Sequence, residues 1–273
     1  MSVPHGSLRI VYSWAVRQDV LELSERGFSV AAVAELTGVS RTSIRRWQTT
    51  PSRPHPAECP RCESVPLDEA AYAALLGYYL GDGHISRAPR FYALRITCDL
   101  KWPAIILDVE DILRRVRPGM RVFRVRKTGG IDLQAHWQHW PCLFPQHGPG
   151  RKHLRPIVLD DWQRRIVFRH PAAFLRGLFH SDGARSKNWA SRIVAGERRR
   201  YDYPRWQFTN VSEDILNLCC WALDLAEIEW KRSNAKTISV NRREHVQRLD
   251  LLIGPKLSIS PARLVVSPAC RRG

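Results

Sequence analysis

Asp82 and Asp182 offer the plainest chemistry in this sequence, and each closes a stretch of the same design. The first reads Leu75-Leu76-Gly77-Tyr78-Tyr79-Leu80-Gly81-Asp82-Gly83, the second Leu175-Arg176-Gly177-Leu178-Phe179-His180-Ser181-Asp182-Gly183. Residues four apart share a helix face, so Gly77 with Gly81, and Gly177 with Ser181, predict flat strips where two backbones come close. Asp-Gly then ends each helix, with glycine expected in a left-handed turn. A carboxylate there faces the negative end of the helix dipole, which favours a cation. Two such helices packed strip to strip would set Asp82 beside Asp182, like charges that together ask for a divalent metal.

The elements that must position these carboxylates repeat in one order. Asp68 can cap the first motif helix. After Gly83, residues 84–86 and 90–97 read as extended and 102–116 as a helix with Pro103 in its first turn. Residues 120–127 and 131–137 read as a hairpin around Thr128-Gly129-Gly130, and a helical piece starts near Pro141. The second copy follows suit: a helix over 171–180, then strands 184–194 and 203–209 with Arg198-Arg199-Arg200 in the loop between them. Ser212 caps the next helix, a short hairpin covers 230–233 and 237–240, and a last helix spans 242–253. The fold class expected is α+β, two αββαββα halves at 67–168 and 169–260, with a tail at 261–273.

Alternation divides the strands into packed and open faces. Asp132, Gln134 and His136 point away from Ile131, Leu133, Ala135 and Trp137; Arg205, Gln207 and Thr209 point away from Trp206 and Phe208. Arg124 and Arg126 alternate similarly, as do Thr237, Ser239 and Asn241. Faces of this composition suit base edges in a major groove, and equally a solvated outer sheet.

The duplicated motif resembles that of the LAGLIDADG homing endonuclease family in its single-chain, two-motif form. The match covers residues 68–258; both copies depart from the family's name sequence at several letters and keep the final Asp and Gly. The resemblance implies a saddle of two pseudo-symmetric halves over double-stranded DNA, in a monomer with an internal pseudo-twofold. It implies that Asp82 and Asp182 hold Mg2+ (or Mn2+), joined by the carbonyls of Gly81 and Ser181. It places Lys152 and Lys256 as the basic residue of each site, and Arg95 and Gln207 as polar residues orienting water. Site-specific double-strand cleavage would follow. The bases would be read by Arg124, Arg126, Gln134, His136, Arg205, Gln207, Ser239 and Asn241.

Ahead of this region, residues 1–50 read as a helix-turn-helix domain: helices over 16–26, 30–36 and 41–48, with Ser29 and Ser40 as caps and Gly38 at the turn. The third helix offers Arg41, Thr42, Ser43, Arg45 and Arg46 to DNA. Residues 51–66 form a proline-rich linker holding Cys59-Pro60-Arg61-Cys62. Tetrahedral zinc needs four ligands and no second pair follows at knuckle spacing, so zinc is not expected at Cys59 and Cys62. His55, and Cys98 or Cys142, are the nearest further ligands the sequence offers.

Composition agrees with a polyanionic partner. The 273 residues carry a formal charge of +17, and residues 114–200 hold 20 Lys or Arg against 5 Asp or Glu. No run is long and apolar enough for a membrane span and no secretion signal precedes the chain, so a cytoplasmic protein without membrane contact is expected. Seven irregularly spaced cysteines argue against a disulfide framework. The ends, Met-Ser and Cys270-Arg271-Arg272-Gly273, give the expectation of a freestanding protein rather than an intein. Two further functions use the same surfaces: a helix-turn-helix transcriptional regulator on a catalytically silent LAGLIDADG frame, and an RNA-binding splicing aid. Neither needs the carboxylates, so their retention favours the endonuclease.

Overall fold

The computed structural model describes residues 14–49, 59–254 and 256. The chain divides into two compact units, residues 1–57 and 58–273. His55, the first part of the linker and the tail at 261–273 lie outside the described residues.

The first unit is three helices: α1 (Trp14–Glu25), α2 (Val30–Thr37) and α3 (Arg41–Thr49). Val20, Val33, Val39 and Ile44 close a small core between them. Ser29 Oγ accepts the Ala32 N–H at 3.2 Å and Ser40 Oγ the Ser43 N–H at 3.2 Å, so both serines cap as expected. Gly38 sits at φ 67°, the left-handed turn that glycine takes without strain.

The second unit is α+β with the same topology twice. Helix α4 (Glu69–Asp82) leads into β1 (Gly83–Arg87) and β2 (Tyr92–Asp99); α5 (Pro103–Val116) follows, then β3 (Val122–Lys127) and β4 (Gly130–Trp137). After the short helix α6 (Trp140–Leu143), α7 (Asp161–Arg169) leads to the second motif helix, α8 (Pro171–Asp182). There follow β5 (Gly183–Val194), β6 (Glu197–Thr209), α9 (Glu213–Leu225), β7 (Lys231–Asn234), β8 (Thr237–Val240) and α10 (Arg243–Ile253). The strand orders are β1-β2-β4-β3 and β5-β6-β8-β7, both antiparallel. Apolar residues at helical spacing on α5 (Ile105, Ile106, Val109, Ile112, Leu113, Val116) and on α9 (Ile215, Leu216, Cys219, Ala222, Leu223) cover the sheets' inner faces, and one core runs through both halves.

The motif helices interlock as their small residues require. A Cβ on Gly177 would stand 2.2 Å from the Ala74 carbonyl oxygen, and one on Gly77 2.4 Å from that of Phe174. The stop at each helix differs from the expected left-handed turn. Gly83 (φ −86°) and Gly183 (φ −89°) are extended, and the helix runs directly into its strand. Glycine is needed there for space: a Cβ would lie 2.4 Å from Tyr79 Cα and 2.5 Å from the Phe179 oxygen.

Two further differences concern the second half. Helix α7 has no counterpart in the sequence reading, although Asp160 and Gln163 form a capping box at its start. Arg198, Arg199 and Arg200 lie within β6 instead of a loop. Ala195 (φ 52°) and Gly196 (φ 81°) make a two-residue turn, so β5 and β6 pair continuously from Gly183↔Phe208 to Val194↔Glu197. Only Trp206 to Thr209 of β6 also pair with β8, so the rest of this ribbon projects beyond the sheet. Among the described residues no helix is long and apolar enough to cross a membrane.

Candidate functional site

The end of each motif helix is fixed by its own packing, and the two ends meet. A Cβ on Gly81 would lie 2.4 Å from Ser181 Cβ and 3.3 Å from Asp182 Oδ2, so Asp182 reaches across to the first helix. Both carboxyls are held where ionisation is disfavoured. Burial, then the like charge of Asp182, pushes the Asp82 carboxyl up to about 6, against the pull of Lys152 and Lys256. Burial also raises Asp182, opposed by a 2.8 Å hydrogen bond from Asn210 Nδ2 to its Oδ2 and by the same lysines.

Asn210 follows β6 and was not singled out from sequence. Strand pairing explains its place. Gly83 pairs with Ile96 and Gly183 with Phe208, so Asn210 and Cys98 occupy equivalent positions two residues on. Asp182 therefore has an amide donor where Asp82 has a thiol, and the two halves of the site are chemically unequal.

The lysines named from sequence both arrive. Lys152 Nζ donates to the carbonyls of Tyr79 (2.5 Å), Leu80 (2.9 Å) and Gly81 (2.9 Å) in the last turn of α4, where the Tyr79 carbonyl also accepts the Gly83 N–H. Burial lowers it to about 8, against the attraction of both aspartates. Lys256 Nζ donates to the Gly183 carbonyl at 2.6 Å and is likewise lowered by burial. A cleft of about 150 Å³ opens onto Asp82, Thr97, Ser181 and Lys256, and another of about 440 Å³ onto Lys152, Arg151, His153 and Arg155.

The donor set suits a hard divalent cation: two adjacent carboxylates, one exposed and one half-buried, with Lys152 and Lys256 as the cations beside them among the described residues. Asp82 and Asp182 could hold it, with the Ser181 carbonyl beside them. The Gly81 carbonyl is engaged by Lys152.

Arg95 and Gln207 occupy equivalent places on the open faces. One row runs His84, Arg95, Gln134, Phe123 and the other Ala184, Gln207, Ser239, Lys231. Both lie inside their strands rather than at the ends. Arg95 Nε is buried and finds no partner among the described residues. Gln134 is half-buried on the open face, and His136 stacks between Phe91 (4.2 Å) and Phe123 (4.8 Å), two aromatics the sequence reading passed over. On the second sheet Arg205 Nε donates to Ser186 Oγ at 3.2 Å, and Asn241 lines a cleft of about 410 Å³ with Tyr203 and Arg192. The projecting ribbon extends this face through Arg192 and Arg199, which pair with each other.

Three expected base readers are placed otherwise. Arg124 pairs with Leu133 and Arg126 with Ile131, which puts both arginines on the helix-covered side. There Arg124 forms a two-pronged ion pair with Glu110 of α5. Phe123 and Val125 take the open face instead, because the run Val122-Phe123-Arg124-Val125 has no clean period of two from which to choose a side. Ser239 is 1% exposed and bonded to Ser233 Oγ at 2.6 Å.

In the first unit Arg41, Thr42, Arg45 and Arg46 are exposed and Ser43 is half-buried, with Ile44 turned into the core. The premise against zinc also fails. Cys59 and Cys62 meet His139 and Cys142, a second pair contributed from the start of α6, whereas Cys98 stands near Asp82 instead.

Among solved structures, mesophilic variants of the homing endonuclease I-DmoI share 13% identity over 68% of this chain and 97% of theirs, with a TM-score of 0.40. The homing endonuclease I-WcaI bound to its DNA recognition sequence shares 14% over 71% of this chain and 84% of its own, at 0.42. Full-length DUF199/WhiA from Thermatoga maritima shares 15% over 70% of this chain, which spans 57% of that structure, at 0.42. No curated protein matches in sequence. Residues 12–51, which contain α1 to α3, match the family model of a homeodomain-like domain.

Proposed function

We propose that this protein is a site-specific double-strand DNA endonuclease of the homing type, a monomer acting by divalent-metal-dependent phosphodiester hydrolysis. The observation that carries the reading is the pair of adjacent, mutually repelling carboxylates at the crossing of the motif helices, partly desolvated and flanked by Lys152 and Lys256. Such a pair destabilises a fold unless it has work to do. Mg2+ or Mn2+ held by Asp82 and Asp182 would activate water and stabilise charge on the phosphate and the leaving oxygen. The protein's own groups do the rest. Asn210 keeps Asp182 oriented, and Lys152 and Lys256 offset phosphate charge from both sides. Lys152, at about 8, can exchange a proton near neutrality. Arg95 and Gln207 stand at equivalent points where each open face meets the site, and the open faces with the β5–β6 ribbon supply major-groove contacts. The α3 residues Arg41, Thr42, Ser43, Arg45 and Arg46 add a second DNA-reading element.

One observation favours a second reading, a DNA-binding regulator without cleavage: Lys152 occupies the Gly81 carbonyl that the metal would share. Selection from a random DNA pool with Mg2+ separates the two. Wild type should cut a defined long site, while Asp82→Ala/Asp182→Ala binds the same site uncut. If neither protein cuts and both bind one sequence equally, the endonuclease is excluded.

The ion pair on the far side of the first sheet gives a complementary expectation. Arg124→Ala should leave affinity for the selected site within about twofold and lower the unfolding free energy by about 1–2 kcal/mol, since buried Glu110 keeps only Arg114, at 3.4 Å. Denaturant titration and a binding isotherm check both. A tenfold weaker complex, about 1.4 kcal/mol, would return Arg124 to the interface.

A further inference from the structure

Cys59, Cys62, His139 and Cys142 converge from two segments 80 residues apart in the chain, and their ligand atoms all lie within 4.8 Å of one another. Each segment supplies its pair at the x-x spacing that a tight turn needs. Cys59-Pro60-Arg61-Cys62 folds back on itself: the N–H groups of Cys62 and Arg61 are directed at the Cys59 sulfur, the Glu63 N–H bonds the Cys59 carbonyl at 2.9 Å, and the Glu63 carboxylate accepts the Cys59 N–H at 2.9 Å. His139-Trp140-Pro141-Cys142 opens α6, closed by a 3.0 Å bond from the Cys142 N–H to the His139 carbonyl.

The edges of the cluster decide what it fits. Cys62 Sγ is 3.4 Å from Cys142 Sγ and 3.5 Å from His139 Nδ1, and Cys142 Sγ is 3.7 Å from that nitrogen. A zinc tetrahedron with Zn–S of about 2.3 Å and Zn–N of about 2.0 Å has S···S edges of about 3.8 Å and S···N edges of about 3.5 Å. A disulfide would need its sulfurs at about 2.05 Å, and all four side chains carry free donors. Three thiolates and an imidazole are soft and borderline ligands, which selects zinc over the hard ions suited to the paired aspartates.

We propose that these four residues form a structural Cys3His zinc site. It ties the irregular segment ahead of α4 to the turn after β4. Cys59 is fully buried among the core residues on which α4 rests, while Cys62 is exposed at the rim. The site thus anchors the point where the chain enters the second unit, and through it the helix that carries Asp82. Two ligands come from the linker and two from the first half; the second half has no equivalent among the described residues.

The test is the zinc content of the full chain, grown with zinc and purified without chelator, by plasma mass spectrometry. About one zinc per chain is expected, falling to roughly a tenth or less in Cys62→Ser and in Cys142→Ser and unchanged in Cys220→Ser. Because losing a ligand can unfold the protein, two measurements use the wild type. Titrating its thiols with a mercurial should release the zinc, and the Co2+ form should show tetrahedral d–d bands with sulfur-to-metal charge transfer. Wild type devoid of zinc, a Cys62–Cys142 disulfide in alkylated peptide maps, or zinc retained in Cys142→Ser would each overturn the site. Asp82→Ala/Asp182→Ala should keep its zinc, so failure of this proposal and failure of the endonuclease reading are read separately.

Discussion

Asp82→Asn is expected to abolish double-strand cleavage while making the free protein more stable at neutral pH. The loss should be on the order of 10³-fold or more, the scale seen when a group that stabilises transition-state charge is removed. The gain follows from linkage. Folding raises the Asp82 carboxyl from 3.8 to about 6, so the folded state prefers the protonated acid. Stability from this group is fully present below about pH 4 and is lost as pH rises through about 6, and solvent screening at this exposed carboxyl reduces the size of the loss. Asparagine is neutral at every pH and escapes that loss.

Lys152 shows the opposite sign, since burial depresses it to about 8. Its stability contribution is present above the ordinary lysine range and is lost as pH falls through about 8. Both penalties therefore overlap between about pH 6 and 8, where the site holds its charges. Denaturant titrations should show Asp82→Asn gaining on wild type as pH rises from about 4 to about 7.5, with the two proteins nearly equal only at the acid end. Equal stability of the two proteins at about pH 7.5 would mean that Asp82 carries no such penalty.

Among the described glycines, Gly177→Ala should be the most damaging added methyl. Its Cβ would be 2.2 Å from the Ala74 oxygen and 2.6 Å from the Tyr78 nitrogen, both backbone atoms of α4. No rotamer change can make room, so the helices must part, and with them the ends that hold Asp82 and Asp182. Alanine gains about 1 kcal/mol of helix propensity over glycine. Overpacking against backbone costs more, and a net loss of about 2–4 kcal/mol is expected, with cleavage falling in parallel. Gly148→Ala is the control. Its Cβ would meet nothing closer than Arg155 Cδ at 3.5 Å, and its effect should stay within about 0.5 kcal/mol. Calorimetry on the three proteins decides the matter, and a Gly177→Ala melting temperature equal to wild type would refute the interlocked packing.

The helix-turn-helix, the duplicated motif helices and the order of strands were legible in sequence because each rests on local signals. Caps at Ser29, Asp68 and Ser212 form the bonds their types predict. Small residues four apart can only mean close approach, and the approach is there. Where the local signal was mixed, the tertiary structure chose. Val122-Phe123-Arg124-Val125 offers no strict alternation, and the acid on α5 drew Arg124 to the covered face. The glycines after each Asp were read as turns, yet they serve as clearance for Tyr79 and Phe179. Asn210 gains its role only from the strand register that brings it to Asp182. The pairing of Cys59 and Cys62 with His139 and Cys142 was out of reach for the same reason. Spacing along the chain reports what a helix, a turn or a strand will be, whereas ligands 80 residues apart meet only once a core has closed between them.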